Sequence, residues 1–328
     1  MISKRENTLR IIRFDKPEYV MMGMPQYFLG YKGSNHEGYE GSGGEHGHAC
    51  AVGTKWFDIW GTGWVKERGD VMGFPKYSPL ADMKNFKNYV FPDPNDERIC
   101  AQIYENKKNY DGGDCFLAGS HRDTLWEKAY MIAGMENMMM FLYDEPEYAR
   151  EILCKIMDFQ LGIANHYLSL GVEAVHMSDD LGTQKSLLIG VDLLYEFFVP
   201  EYKRLFELYK KHGVIIDFHS CGHIEPVLDM FIELGVDILN PIQATANDLS
   251  VVRKKTENRM ALNGGVSTEV IMNGPVEDIE SAVKNAIYML GQNGGYFCAP
   301  DQSMPFPEEN INAFYSALEK YGKYPVKL

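Results

Sequence analysis

Short apolar runs rich in Val, Ile and aromatic residues recur along this chain and alternate with longer stretches whose apolar residues fall at helical spacing. The short runs predict strands at 20–24, 115–119, 174–178, 214–218, 238–241, 260–264 and 296–299. Between them, 147–170, 191–211, 224–234, 276–290 and 307–321 predict amphipathic helices. Such alternation means parallel strands joined by right-handed helical crossovers. The 328 residues suit one α/β domain spanning 1–328, a (β/α)8 TIM barrel with an N-terminal extension, better than an open doubly wound sheet. Residues 31–53 break the pattern, because Gly38-Tyr-Glu-Gly-Ser-Gly-Gly-Glu-His-Gly-His48 has neither period, and they predict a lid loop.

Composition narrows the class of function. A hydrophobic share of 45% with 24% charged residues describes an ordinary globular chain. The net charge of −14 and the lack of a basic stripe exclude a nucleic-acid-binding surface, which needs clustered Lys and Arg. The charged start Met1-Ile-Ser-Lys-Arg-Glu has no apolar signal core, and no run approaches the roughly 18 apolar residues of a membrane span. These features predict a cytoplasmic protein without a membrane partner. The six cysteines, at 50, 100, 115, 154, 221 and 298, are widely scattered, as suits reduced thiols available to a metal.

Candidate chemistry concentrates at strand ends. His219-Ser220-Cys221 places an imidazole and a thiol two positions apart at the tip of a predicted strand, and Cys298 ends another. Imidazole and thiolate are zinc's preferred ligands, and a catalytic zinc takes three protein ligands and leaves a position open. Asp179, Asp180 and Gln184 follow the strand at 174–178, and Gln243 follows the one at 238–241, where a barrel places its active mouth. Either aspartate is a candidate general acid or a partner of His219, with helix capping as the alternative. Asp217 shares the face of His219 and is a candidate supporting carboxylate. His46-Gly-His48-Ala-Cys50 lies in the Gly-rich loop, too poorly organised to be taken as a second metal site.

His219-Ser-Cys-Gly222, Glu233-Leu-Gly-Val-Asp-Ile-Leu-Asn-Pro-Ile-Gln243, Asn263-Gly-Gly-Val266, Gly294-Gly-Tyr-Phe-Cys-Ala-Pro300 and Pro307-Glu-Glu-Asn-Ile311 together resemble the uroporphyrinogen decarboxylase-like superfamily. Ser178-Asp-Asp-Leu-Gly-Thr-Gln184 carries the resemblance further, and Asp58-Ile-Trp-Gly61 and Phe91-Pro-Asp-Pro94 do so more weakly. It implies a (β/α)8 barrel with its site at the C-terminal face. The decarboxylase proper carries an Arg-rich motif after its first strand, whereas Val20-Met-Met-Gly-Met-Pro-Gln-Tyr-Phe-Leu29 has no arginine, so porphyrinogen decarboxylation is set aside. The His-x-Cys pair with a late cysteine instead resembles the cobalamin-dependent methyltransferase branch. That resemblance implies zinc on His219, Cys221 and Cys298, and cobalamin supplied by a partner corrinoid protein.

Within that branch, methyl transfer runs from a methylated donor to cob(I)alamin or from methylcobalamin to a thiol. The aromatic N-terminal half, with Tyr27, Phe28, Tyr31, Trp56, Trp60 and Trp64 near the expected lid, favours the first direction with a methoxyaromatic donor, an O-demethylation. A coenzyme M type thiol methyltransferase is the alternative, and a non-catalytic corrinoid-binding scaffold is the third reading. Tyr27, Trp60, Gln184 and Gln243 are the substrate-binding candidates, and homo-oligomerisation is left open.

Overall fold

The computed structural model describes residues 2–33, 50–69 and 73–326. Seven strands form one parallel sheet in the order β1 (Gln26–Leu29), β5 (Phe116–His121), β6 (Ala174–Ser178), β7 (Ile215–His219), β8 (Ile238–Ile242), β9 (Ala261–Val266) and β10 (Tyr296–Pro300). Three short strands, β2 (Lys55–Phe57), β3 (Gly63–Val65) and β4 (Phe74–Tyr77), make a separate antiparallel sheet in the connection after β1. The parallel sheet curls into a barrel-like fold with helices outside it. Its two edges meet through one segment: Met21 bridges Phe297 of β10 in parallel, and five residues later Gln26 pairs with Phe116 of β5.

The strand expected at 20–24 is therefore divided, and among the described residues the sheet has seven named strands rather than eight. Gly23 and Pro25 lie between the two pairings, and Pro25 has no N–H to give a ladder. Of the lid expected at 31–53, residues 34–49 lie outside the described residues. No helix is long and apolar enough to cross a membrane, among the described residues.

Strand alternation sorts the interior into two regions. Phe116, Ala118, Ala174, Ile238, Ala261 and Phe297 point inward and pack with Met21, Met24 and Ile11 as an apolar plug at the base of the barrel. The opposite strand faces join the main core against helices such as Pro146–Ser169, Val199–Lys211 and Val276–Leu290. Above the plug, the inward positions turn polar: Gln26 on β1, His176 on β6, Asp217 and His219 on β7, Asn240 on β8 and Asn263 on β9. A barrel interior is usually filled by branched aliphatics. Here its upper half is polar.

The aromatic residues of the N-terminal half build core. Trp56 and Trp64 face each other across β2 and β3 with their rings stacked at 6.3 Å, and Asp58 fixes the turn by accepting from the Trp60 and Thr62 amides and from Trp64 Nε1. Outside the barrel wall, His121 is fully buried, with Nδ1 on Gln160 Oε1 at 2.7 Å and Nε2 on the Tyr209 hydroxyl at 2.6 Å. Burial pushes the His121 pKa down to about 4, so the ring is neutral in the fold. The unfolded chain binds a proton there below about pH 6.5 and the folded chain does not, so stability is lost as pH falls through that window. Denaturant titrations between pH 7 and 4.5 are expected to show a falling unfolding free energy, and His121→Gln is expected to lose less across the same interval.

Candidate active site

The carboxylate of Asp217 fixes the polarity of the groups around it. As a carboxylate it only accepts, so each partner must present a donor. Gln26 Nε2 and His176 Nδ1 both lie on Asp217 Oδ2, at 3.0 and 3.2 Å, and Asn240 Nδ2 donates to Oδ1. With its amide nitrogen committed, Asn240 turns Oδ1 to His219 Nδ1 at 3.0 Å. His219 Nδ1 thus carries the proton, and its Nε2 lone pair is left free to bind a cation.

That nitrogen faces two further donors. Cys221 Sγ lies 3.3 Å from it and Asp180 Oδ1 lies 3.5 Å from it. Ligand atoms of Asp180, His219 and Cys221 all fall within 4.8 Å of one another. Bond lengths of about 2.3 Å to sulfur and about 2.0 Å to nitrogen or oxygen give tetrahedral edges of roughly 3.3–3.6 Å. The spacing therefore fits a small divalent cation. Burial, then the neighbouring Asp180 carboxylate, pushes the Cys221 thiol well above its ordinary range, and burial draws His219 down. Without a positive charge, the thiol stays protonated beside a carboxylate. A dication would turn both into favourable ligands.

Two loops hold this geometry by backbone contact. Gly222 follows Cys221 with φ +88°, and a Cβ on it would sit 2.4 Å from the Gly182 carbonyl. A Cβ on Gly182 would in turn meet the His223 amide nitrogen at 2.7 Å. Only glycine permits this approach. Asp180 Oδ1 also accepts the Cys221 amide at 2.8 Å, and Gln243 Oε1 accepts from Gly222 N at 3.0 Å and from Gln184 Nε2 at 2.9 Å. Gln243 and Gln184 thus brace the ligand loop with the groups that sequence reasoning reserved for substrate.

Other expected site residues lie elsewhere. Cys298 is fully buried on the outward face of β10 with Tyr296, while Phe297 between them points to the inner plug. Strand alternation takes Cys298 away from the His219–Cys221 pair, and burial pushes its thiol up to about 12. In its place, Gln302, just past β10, brings Nε2 to 2.8 Å from Cys221 Sγ. Tyr27 also faces outward, donating its hydroxyl to the Asn106 carbonyl and packing on Tyr110. Trp60 is core, 1% exposed and 4.9 Å from the Phe159 ring. Asp179 is buried and accepts from the Leu125 and Glu127 amides and the Tyr202 hydroxyl, capping the helix Trp126–Ala133. Of the two aspartates, Asp180 lies beside His219 and Cys221, and Asp179 braces the scaffold.

Gln302, Asn240, Gln26 and His176 join the site without having been expected there. Inward parity with His219 was the available signal for the last three, since pairing registers place His176 beside Asp217 and Asn240 beside His219. Nothing local marked Gln302, whose partner is 81 residues away.

A family model described as uroporphyrinogen decarboxylase (URO-D) matches residues 124–321, more than half of the chain. A methylated-thiol–coenzyme M methyltransferase of Methanosarcina mazei is 22% identical over 190 residues, which cover 58% of this chain and 49% of that protein. The methylcobamide:CoM methyltransferase MtbA of the same organism is 23% identical over 130 residues, 40% of this chain and 37% of that protein. The chain thus spans about half the length of the first of these relatives and less of the second. Among solved structures, a methyltransferase from Methanosarcina mazei superposes with a TM-score of 0.72 at 15% identity, covering 98% of this chain and 99% of that one, which shows a shared fold.

Elemental analysis of the purified protein is expected to find about one zinc per chain, lost in Cys221→Ala and in His219→Ala and kept in Cys298→Ala. Loss of zinc from a folded Cys298→Ala protein would contradict this site. Asn240→Leu, which frees the His219 ring, is expected to weaken zinc binding by about 10- to 100-fold in competition with a chelator.

Proposed function

Because the chain belongs to the uroporphyrinogen decarboxylase family yet gathers Asp180, His219 and Cys221 at its mouth, we propose that it is a zinc-dependent methyltransferase, moving methyl between a small sulfur compound and the cobalamin of a corrinoid protein. The observation that carries this reading is the donor set, one imidazole, one thiol and one carboxylate whose ligand atoms lie within 4.8 Å of one another. The activities named for the two Methanosarcina mazei relatives support the class of reaction. When bound, zinc supplies Lewis acidity, which holds a thiol as its more nucleophilic thiolate or draws charge from an ether oxygen.

The chain's own groups bias that choice. Asp180 and Cys221 bring two negative charges, so the site's net charge with a dication is neutral, and it donates electron density to an incoming sulfur more readily than it withdraws charge from an ether. Of the aromatic residues that suggested a methoxyaromatic donor, Phe28 lies against His176, whereas Tyr27 and Trp60 do not face the mouth. We therefore favour transfer from methylcobalamin to a thiol and keep aromatic O-demethylation as the second outcome of the test. His219 is held in the correct tautomer by Asn240, and Gln302 donates an N–H to Cys221 Sγ, which moderates the basicity of that thiolate.

Zinc-loaded protein incubated with methylcobalamin and simple thiols is expected to yield the methyl thioether, and zinc removal is expected to lower the rate by several orders of magnitude, at about 1.4 kcal/mol per tenfold. If no thiol is methylated while a methoxyaromatic loses its methyl group to a reduced corrinoid protein, the favoured direction is wrong.

A further inference from the structure

The acceptor atoms left over below the metal ligands point to the substrate's other end. Gln26 and His176 both commit a donor to Asp217 Oδ2, which leaves the Gln26 carbonyl oxygen and, in the neutral ring, His176 Nε2 as acceptors facing away from that carboxylate. Gln26 Oε1 is buried and has no hydrogen-bond partner among the described residues. His176 Nε2 likewise makes no hydrogen bond within the described residues, and the side chain is 26% exposed with its ring edge against Phe28 and His219, whose centroids lie 6.0 and 6.2 Å away. A buried carbonyl oxygen without a partner costs free energy in the unliganded fold. A ligand donor would remove that cost.

We propose that Gln26 Oε1 and His176 Nε2 form the specificity floor of the site and read a hydrogen-bond donor, best a primary ammonium, at the end of the substrate remote from its sulfur. This deepens the methyl-transfer reading and rests on it for the identity of the reacting sulfur. The Asp217 carboxylate below favours a cation at this level and disfavours an anion, the charge of Asp180 above being taken up by the metal. Two residues of β7 separate the Asp217 and His219 levels, a rise of about 6.6 Å, so sulfur and nitrogen would be joined by roughly two or three carbons. The substrate class is an aminoalkyl thiol or its methyl thioether. A sulfonate-ended thiol such as 2-mercaptoethanesulfonate fits poorly.

The test compares 3-aminopropane-1-thiol, 1-butanethiol and 2-mercaptoethanesulfonate as methyl acceptors with the zinc-loaded enzyme, and measures by calorimetry the binding of their methyl thioethers. The aminothiol is expected to exceed the apolar thiol in kcat/KM by about 10- to 100-fold, with the same order in affinity. His176→Phe and Gln26→Leu are each expected to shrink that ratio towards one. Equal use of all three thiols overturns the floor while leaving methyl transfer intact. Preference for the sulfonate also overturns it. Selective binding of the amino thioether without turnover of any thiol upholds the floor and rejects the reaction.

Discussion

A carboxylate near the barrel axis has no proton to offer, and from that constraint on Asp217 the rest of the site follows. Three donors converge on it, from Gln26, His176 and Asn240. The two amides, by giving Asp217 their nitrogens, turn their carbonyl oxygens elsewhere, and the neutral His176 ring does the same with its Nε2 lone pair. Through Asn240 the constraint reaches His219 and leaves Nε2 bare toward Cys221 and Asp180. Such buried networks rigidify a core when every member is satisfied and are costly when one is missing. The network here is satisfied at its centre and left open at its rim, where a metal and a substrate would complete it.

The fold supplies the frame for that rim. The apolar plug of Phe116, Ile238, Phe297 and their neighbours closes the base of the barrel, so the polar layer is reached from the mouth. The loops carrying Asp180 and Cys221 lie backbone against backbone at Gly182 and Gly222, which fixes these two candidate ligands from different strands without a side chain between them. Asp179, one residue from a ligand, is spent on capping the helix Trp126–Ala133 and thereby anchors the same loop to the outer layer. Adjacent aspartates divide scaffold and chemistry between them.

The parallel strands were legible because, buried on both faces, they read as continuous apolar runs. The expected strands at 174–178 and 296–299 coincide with β6 and β10 to within a residue. The strands β2, β3 and β4, of three or four residues, gave no such run and were missed, and Trp60 in the turn between β2 and β3, expected to bind substrate, is core. The pair His219 and Cys221 was legible because chemistry and spacing agree on one strand tip. Cys298 was not, because its residue type suits zinc while its parity on β10 turns it outward beside Tyr296. Counting alternation from Phe297 would have shown this. Gln302 takes its place beside Cys221 from a loop that only the folded chain brings near.

The claim that one cysteine, one histidine and one aspartate hold the metal is tested most directly by X-ray absorption at the zinc edge of the purified protein. The expected first shell has one sulfur at about 2.3 Å and the remaining ligands at about 2.0 Å, all nitrogen or oxygen. A shell with two sulfurs from the protein would contradict the account and return Cys298 to the site.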